Sequence, residues 1–195
     1  MKPIALSISS IFSLAFLLIS CGGGGEVAPT TEAYSDYKSD VDEIIEDYKA
    51  CRSEADKPIE CNEFTLMALE RIYQLPEVKD GENFKLPQDL AEEIPESFDW
   101  EKIGAADVQK NLDRAHELAS KGYAVVAIDE PFSHLAIIIG GEEMITSGSW
   151  GMDCPLAISI FHGSNYNSSF IGKGLNYSFT SPEGLTLYNR LYRDF

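Results

Sequence analysis

Basic residues are scarce in this chain. Its 195 residues carry 15 Lys and Arg against 32 Asp and Glu, a formal net charge of −17. That balance excludes a nucleic-acid partner and a polybasic contact with anionic lipid. The carboxylates are dispersed: Asp40-Val41-Asp42-Glu43 and Glu92-Glu93 read as solvated faces, and no EF-hand loop gathers them around a cation. Paired CxxC and HxxxH spacings are absent, which argues against zinc. Gly22 to Gly25 precede no Lys-Ser/Thr pair, so there is no phosphate-binding loop. No metal and no cofactor is expected.

Long apolar runs are confined to the start of the chain. Lys2 followed by the segment from Ile4 to Ile19 has the form of a secretory signal, a little short for a stable span and without a basic stop-transfer cluster behind it. It ends in Leu18-Ile19-Ser20-Cys21, which resembles the bacterial lipobox. That resemblance implies that 1–20 is removed and that Cys21 is diacylated, anchoring the protein to a bilayer. Gly22 in place of an aspartate implies the outer membrane, by similarity to lipoprotein sorting signals, with the domain in the periplasm or at the cell surface. Residues 21–35, rich in Gly, Pro, Thr and Ala, read as a flexible tether. The remainder, 36–195, is long enough for one well-formed core and short for two.

Only four cysteines are present, and export would place them where disulfides persist. Cys61 opens an amphipathic stretch with Phe64, Leu66-Met67, Leu69 and Tyr73 on its apolar face, ended by Pro76. A thiol at a helix start meets unsatisfied N–H groups and the positive end of the dipole, which favour the nucleophilic thiolate. If Cys21 carries lipid and Cys61 attacks, Cys51 and Cys154 remain as a pair. The competing Cys51–Cys61 bridge would close a short loop and abolish the nucleophile.

Val41, Ile44, Ile45 and Tyr48 predict a helix from Ser39 to Ala50, and Val108, Leu112, Ala115 and Leu118-Ala119 another from Ala105 to Ser120, stopped by Gly122. Pro87, Pro95 and Gly81 mark Leu75 to Ile103 as mostly irregular, a segment long enough to cover a cleft. Strands are then expected at Tyr123 to Ile128 and Leu135 to Ile139, with Gly140-Gly141 as a hairpin turn, and shorter ones at Met144 to Ser147, Leu156 to Phe161, Leu175 to Phe179 and Leu187 to Tyr192. Helices first and antiparallel strands second imply an α+β fold with N-terminal helices packed on one sheet.

Cys61-Asn62-Glu63-Phe64 is similar to the helix start of NlpC-type and CHAP-type peptidoglycan hydrolases and of type VI secretion amidase effectors. Gly122 to Ala127 followed by Ser133-His134-Leu135-Ala136-Ile137-Ile138 resembles their strand pair, with Ser133 where glycine is usual before the histidine. Ser147-Gly148-Ser149-Trp150-Gly151 with Pro155, and Lys173 to Phe179, look like the effector amidases. The resemblance implies a papain-like cysteine amidase or peptidase acting on peptide or amide bonds of peptidoglycan. Cys61 would attack the carbonyl and form an acyl-enzyme, and His134 would activate the thiol and protonate the leaving amine. Asn62 or the Cys61 N–H would assist an oxyanion. A two-residue turn at Gly140 would set Ser147 or Ser149 opposite His134 as its orienting partner, and Asp153 could reach back to it. Thr146 stands at the NlpC spacing. The alternative is a non-catalytic lipoprotein that binds cell-wall peptide on the same fold. His116 reads as a surface residue and His162 as a loop residue near the cleft.

Overall fold

The computed structural model describes residues 34–54 and 61–192. The signal segment, Cys21 and most of the tether lie outside the described residues; Tyr34 and Ser35 already belong to the first helix. Helix α1 (Tyr34–Ser53) buries Tyr37, Val41, Ile45 and Tyr48, one stripe at helical spacing. Helix α2 (Phe64–Tyr73) ends where Gln74 turns left-handed at φ 52° and its N–H donates to the Glu70 carbonyl at 2.8 Å. A two-strand ribbon, β1 (Lys79–Asp80) with β2 (Asn83–Phe84), and helix α3 (Pro87–Glu93) occupy the segment expected to be irregular. Strand β3 (Trp100–Ala105) follows, then helix α4 (Gln109–Ser120), which starts later than its periodicity suggested.

The rest is β structure: β4 (Val125–Asp129), β5 (Leu135–Ile138), β6 (Ile145–Ser147), β7 (Met152–Cys154), β8 (Leu156–Ser159), β9 (Phe170–Gly174) and β10 (Leu185–Arg190). Five of these strands join β3 in one antiparallel sheet in the order β3-β10-β4-β5-β8-β9, while β6 and β7 pair only with each other. The fold is α+β with an antiparallel sheet, as expected. Two local expectations are corrected. Gly140-Gly141 does not turn β5 into β6, because β5 pairs with β8; Gly140 is required instead because a Cβ there would lie 2.1 Å from the Ala119 backbone carbon at the end of α4. The run Leu175–Tyr177 is a 3-10 turn, and the strand in that region is β9, just before it.

The sheet is covered on both faces. Alternation along β4 and β5 sends Val126, Ile128, Leu135 and Ile137 into a core shared with α1, α2 and α3. Val125, Ala127, Ala136 and Ile138 enter a second core under α4, with Leu112, Ala115 and Leu118. Ala127 and Ala136, opposite each other in the register, leave room for that helix to approach.

Leu69, fully buried in the first core, should lose about 2–5 kcal/mol on truncation to alanine through lost transfer energy and the cavity left behind. Val108→Ala at an exposed position should change stability by no more than about 0.5 kcal/mol. Urea unfolding of both variants measures the contrast.

Candidate functional site

Cys61 lies in the turn before α2, three residues ahead of Phe64, so the helix N–H groups at Leu66 and Met67 are taken by the Glu63 carbonyl at 2.9 and 3.0 Å. Its sulfur is bonded to Cys51 in the last turn of α1, with Cα atoms 5.9 Å apart, and the residue is completely buried. The expected pairing of Cys51 with Cys154 is therefore corrected. Cys51 packs against the first core and Cys154 is buried in the second, so the sheet separates them. Cys154 keeps a free thiol whose pKa burial pushes up, which makes it inert. In this disulfide Cys61, the expected nucleophile, has no thiol to ionise.

His134 is positioned by the turn that joins β4 to β5. The Asp129 carboxylate accepts the His134 backbone N–H at 2.7 Å and the Ser133 hydroxyl at 2.5 Å, and the Phe132 N–H donates to the Asp129 carbonyl at 2.7 Å. The imidazole is stacked on Phe161, with ring centroids 5.0 Å apart and planes 5° from parallel, and meets Phe179 edge-on at 5.2 Å. Its Nε2 is 2.8 Å from the Ser159 hydroxyl on β8. Burial, reinforced by the charge of His162 and opposed by Asp129, pushes the His134 pKa from its ordinary 6.5 down to about 4. The ring is consequently neutral at pH 7, a weak base that serves well as a hydrogen-bonding group.

Ser159, not Ser147, Ser149 or Asp153, is the partner of His134. β8 rather than β6 lies beside β5, and Ser159 is paired in register with Ala136. Ser147 and Ser149 bond to each other at 3.1 Å in the β6–β7 hairpin. Asp153 accepts the Thr146 hydroxyl at 2.6 Å, and its backbone exchanges hydrogen bonds with the Gln109 side chain on α4. A lone serine inside the apolar run Ala157-Ile158-Ser159-Ile160 was the available signal for Ser159.

Asn62 and His134 do share a cavity. It measures about 140 Å³, and Pro87, Gln88, Phe132 and His162 complete most of its wall. The start of α3 thus borders the cleft. On the other side of His134 a cavity of about 420 Å³ includes Asp129, Glu130, Phe161, Ser178 and Phe179, so the imidazole stands in the partition between two openings. His162 lines both and is edge-on to Tyr48, and its Nδ1 is buried without a partner among the described residues. His116 instead contacts the Glu142 carbonyl at 2.7 Å on the surface.

No family model matches the chain, and no curated protein or solved structure matches it. Among the described residues no group of His, Cys, Asp and Glu could hold a metal ion, and no helix is long and apolar enough to cross a membrane.

The depressed pKa of His134 has a signed consequence for stability. Below pH 6.5 the unfolded chain takes up a proton that the native imidazole refuses, so its contribution, about 3 kcal/mol, is present above pH 6.5 and lost as pH falls to about 4. Urea titrations across that window should show a fall in wild-type stability that His134→Gln flattens. Ser159→Ala should cost about 1–3 kcal/mol at pH 7 by leaving a buried imidazole nitrogen unpaired, measured in the same titration.

Proposed function

We propose that this chain is a cell-envelope lipoprotein that uses a papain-like α+β scaffold to grip cell-wall peptide without cutting it while the Cys51–Cys61 bridge is closed. The bridge carries the reading: amide cleavage through an acyl-enzyme needs a thiolate, and both sulfur valences of Cys61 are occupied. The cleft supports it further. Asn62 and Gln88 supply amides that both donate and accept, and His134 and His162 supply imidazoles, a set suited to the N–H and C=O groups of an extended peptide. With Cys21 as lipid anchor in the outer membrane, the domain would stand in the periplasm or at the cell surface within reach of the wall.

A second reading, a papain-like cysteine amidase or endopeptidase, is favoured by one arrangement. Asn62, beside Cys61, opens on the same cavity as His134, and Ser159 holds Nε2, leaving Nδ1 as the nitrogen available to a thiol. In this reading a dithiol reductant is oxidised to its disulfide while Cys51 and Cys61 each gain a proton. The Cys61 sulfur then passes its proton to His134 and attacks a peptidoglycan amide carbonyl. His134 returns the proton to the leaving amine, and water hydrolyses the thioester.

Sacculi incubated with the full mature chain separate the two. Without reductant the protein should co-sediment with sacculi and leave the muropeptide profile unchanged. Failure to co-sediment, or cleavage by the oxidised protein, overturns the binding reading. New products that appear only with dithiothreitol and vanish in Cys61→Ala establish the amidase.

A further inference from the structure

A groove of about 660 Å³ adjoins the His134 cleft and differs from it in chemistry. It lies between the 3-10 turn Gly163–Ser168, strand β9 and the turn Leu175–Tyr177. Aromatic rings lead into it from the site. His134 stacks on Phe161, Phe161 meets Phe170 at 6.2 Å, and Phe170 meets Tyr177 at 6.4 Å, edge to face. Tyr177 is 59% exposed, a large ring left open where Phe170 is buried and Phe161 and His134 are half-buried. Around the rings stand neutral groups that both donate and accept hydrogen bonds, chiefly Asn165, Asn167 and Thr180.

Charge is the second discriminating feature. Although the chain carries 32 carboxylate side chains, none lines this groove. Its one cation, Lys173, is within 5.2 Å of the Phe170 ring centre and 5.8 Å of that of Tyr177, and has no carboxylate partner among the described residues. Two oxygens of the wall, Asn176 Oδ1 and Ser178 Oγ, are buried without a hydrogen-bond partner among the described residues. Ser178 is only 7% exposed and belongs to the wall common to the groove and the cavity beside His134.

We infer that this groove is a saccharide subsite, binding a pyranose unit of a glycan strand beside the peptide cleft. The C–H face of a pyranose carries partial positive charge and packs against the negative face of an aromatic ring, here Tyr177. Its ring hydroxyls each donate and accept, matching side-chain amides and hydroxyls that water otherwise satisfies. A cationic ligand would find no counter-charge in the groove, and a purely apolar one would strand its amides. The inference deepens the cell-wall reading and rests on it only for the strand to which the sugar belongs.

Calorimetric titration of the full mature chain with chitotetraose, with a sugar-free stem tetrapeptide and with a disaccharide-tetrapeptide tests it. Chitotetraose should bind. Tyr177→Ala should weaken that binding about tenfold, the loss of one stacking contact, and Asn167→Ala should weaken it in the same direction. Both residues are exposed, so the fold should persist, and both variants should bind the sugar-free peptide like wild type. The subsite is overturned if chitotetraose does not bind, or binds equally to both variants. Peptide binding without sugar binding removes the subsite and leaves the cell-wall reading standing. Tyr177-dependent sugar binding with no affinity for the sugar-free peptide, and no gain in affinity from the peptide of the disaccharide-tetrapeptide, does the reverse.

Discussion

Strands β4 and β5 are buried on both sides, and that requirement shapes the rest of the molecule. Val125 to Ile128 and Leu135 to Ile138 expose almost nothing to solvent, so helices must cover each face of the sheet. The result is two apolar cores with a sheet between them, and residues assigned to different cores cannot meet. Cys51 and Cys154 are such a pair. The Cys51–Cys61 bridge instead links the last turn of α1 to the turn before α2, on the face of the sheet where both helices pack.

How much of this was legible follows from the kind of information each feature requires. The central strands announce themselves, because a doubly buried strand needs an unbroken apolar run. The outer strands do not. β3 exposes Glu101 and Lys102 at one edge, and β9 contains Gly172, Lys173 and Gly174 at the other, so neither shows an apolar run or clean alternation. Strand order is more opaque still. Gly140-Gly141 has the composition of a hairpin turn, yet Gly140 serves the close approach of α4, and the chain passes through β6 and β7 before β8 returns to β5. That non-local choice moved the partner of His134 from the 147–153 region to Ser159, whereas local features mark where Asn62 precedes α2 and where His134 precedes β5, the two positions that meet in one cavity.

The two groups expected to perform chemistry are restrained by separate causes that act in the same direction. The bridge removes the Cys61 thiol. Desolvation lowers the basicity of His134, so even a released thiol would face a base of pKa about 4. A catalytic imidazole gains from a pKa near the working pH, whereas a ring meant to donate and accept hydrogen bonds gains from staying neutral. Packing against Phe161 and Phe179 helps desolvate the half-buried ring, and Ser159 is the hydrogen-bond partner of its Nε2. The cost of burying the imidazole is therefore offset without a counter-charge.

The same stacking ties the histidine to the outer groove. Phe161 serves as the floor for His134 and as a ring against Phe170, which meets the exposed Tyr177. Strand β8 and the turn after it thus set both the depth of the imidazole and the placement of the open aromatic surface. Because Phe161 follows Ser159, the last residue of β8, by only two positions, a shift of β8 would alter the hydrogen bond at Nε2 and the ring ladder together. The three residues from Ser159 to Phe161 thus carry both the hydrogen bond at Nε2 and the ring contact that leads toward Phe170.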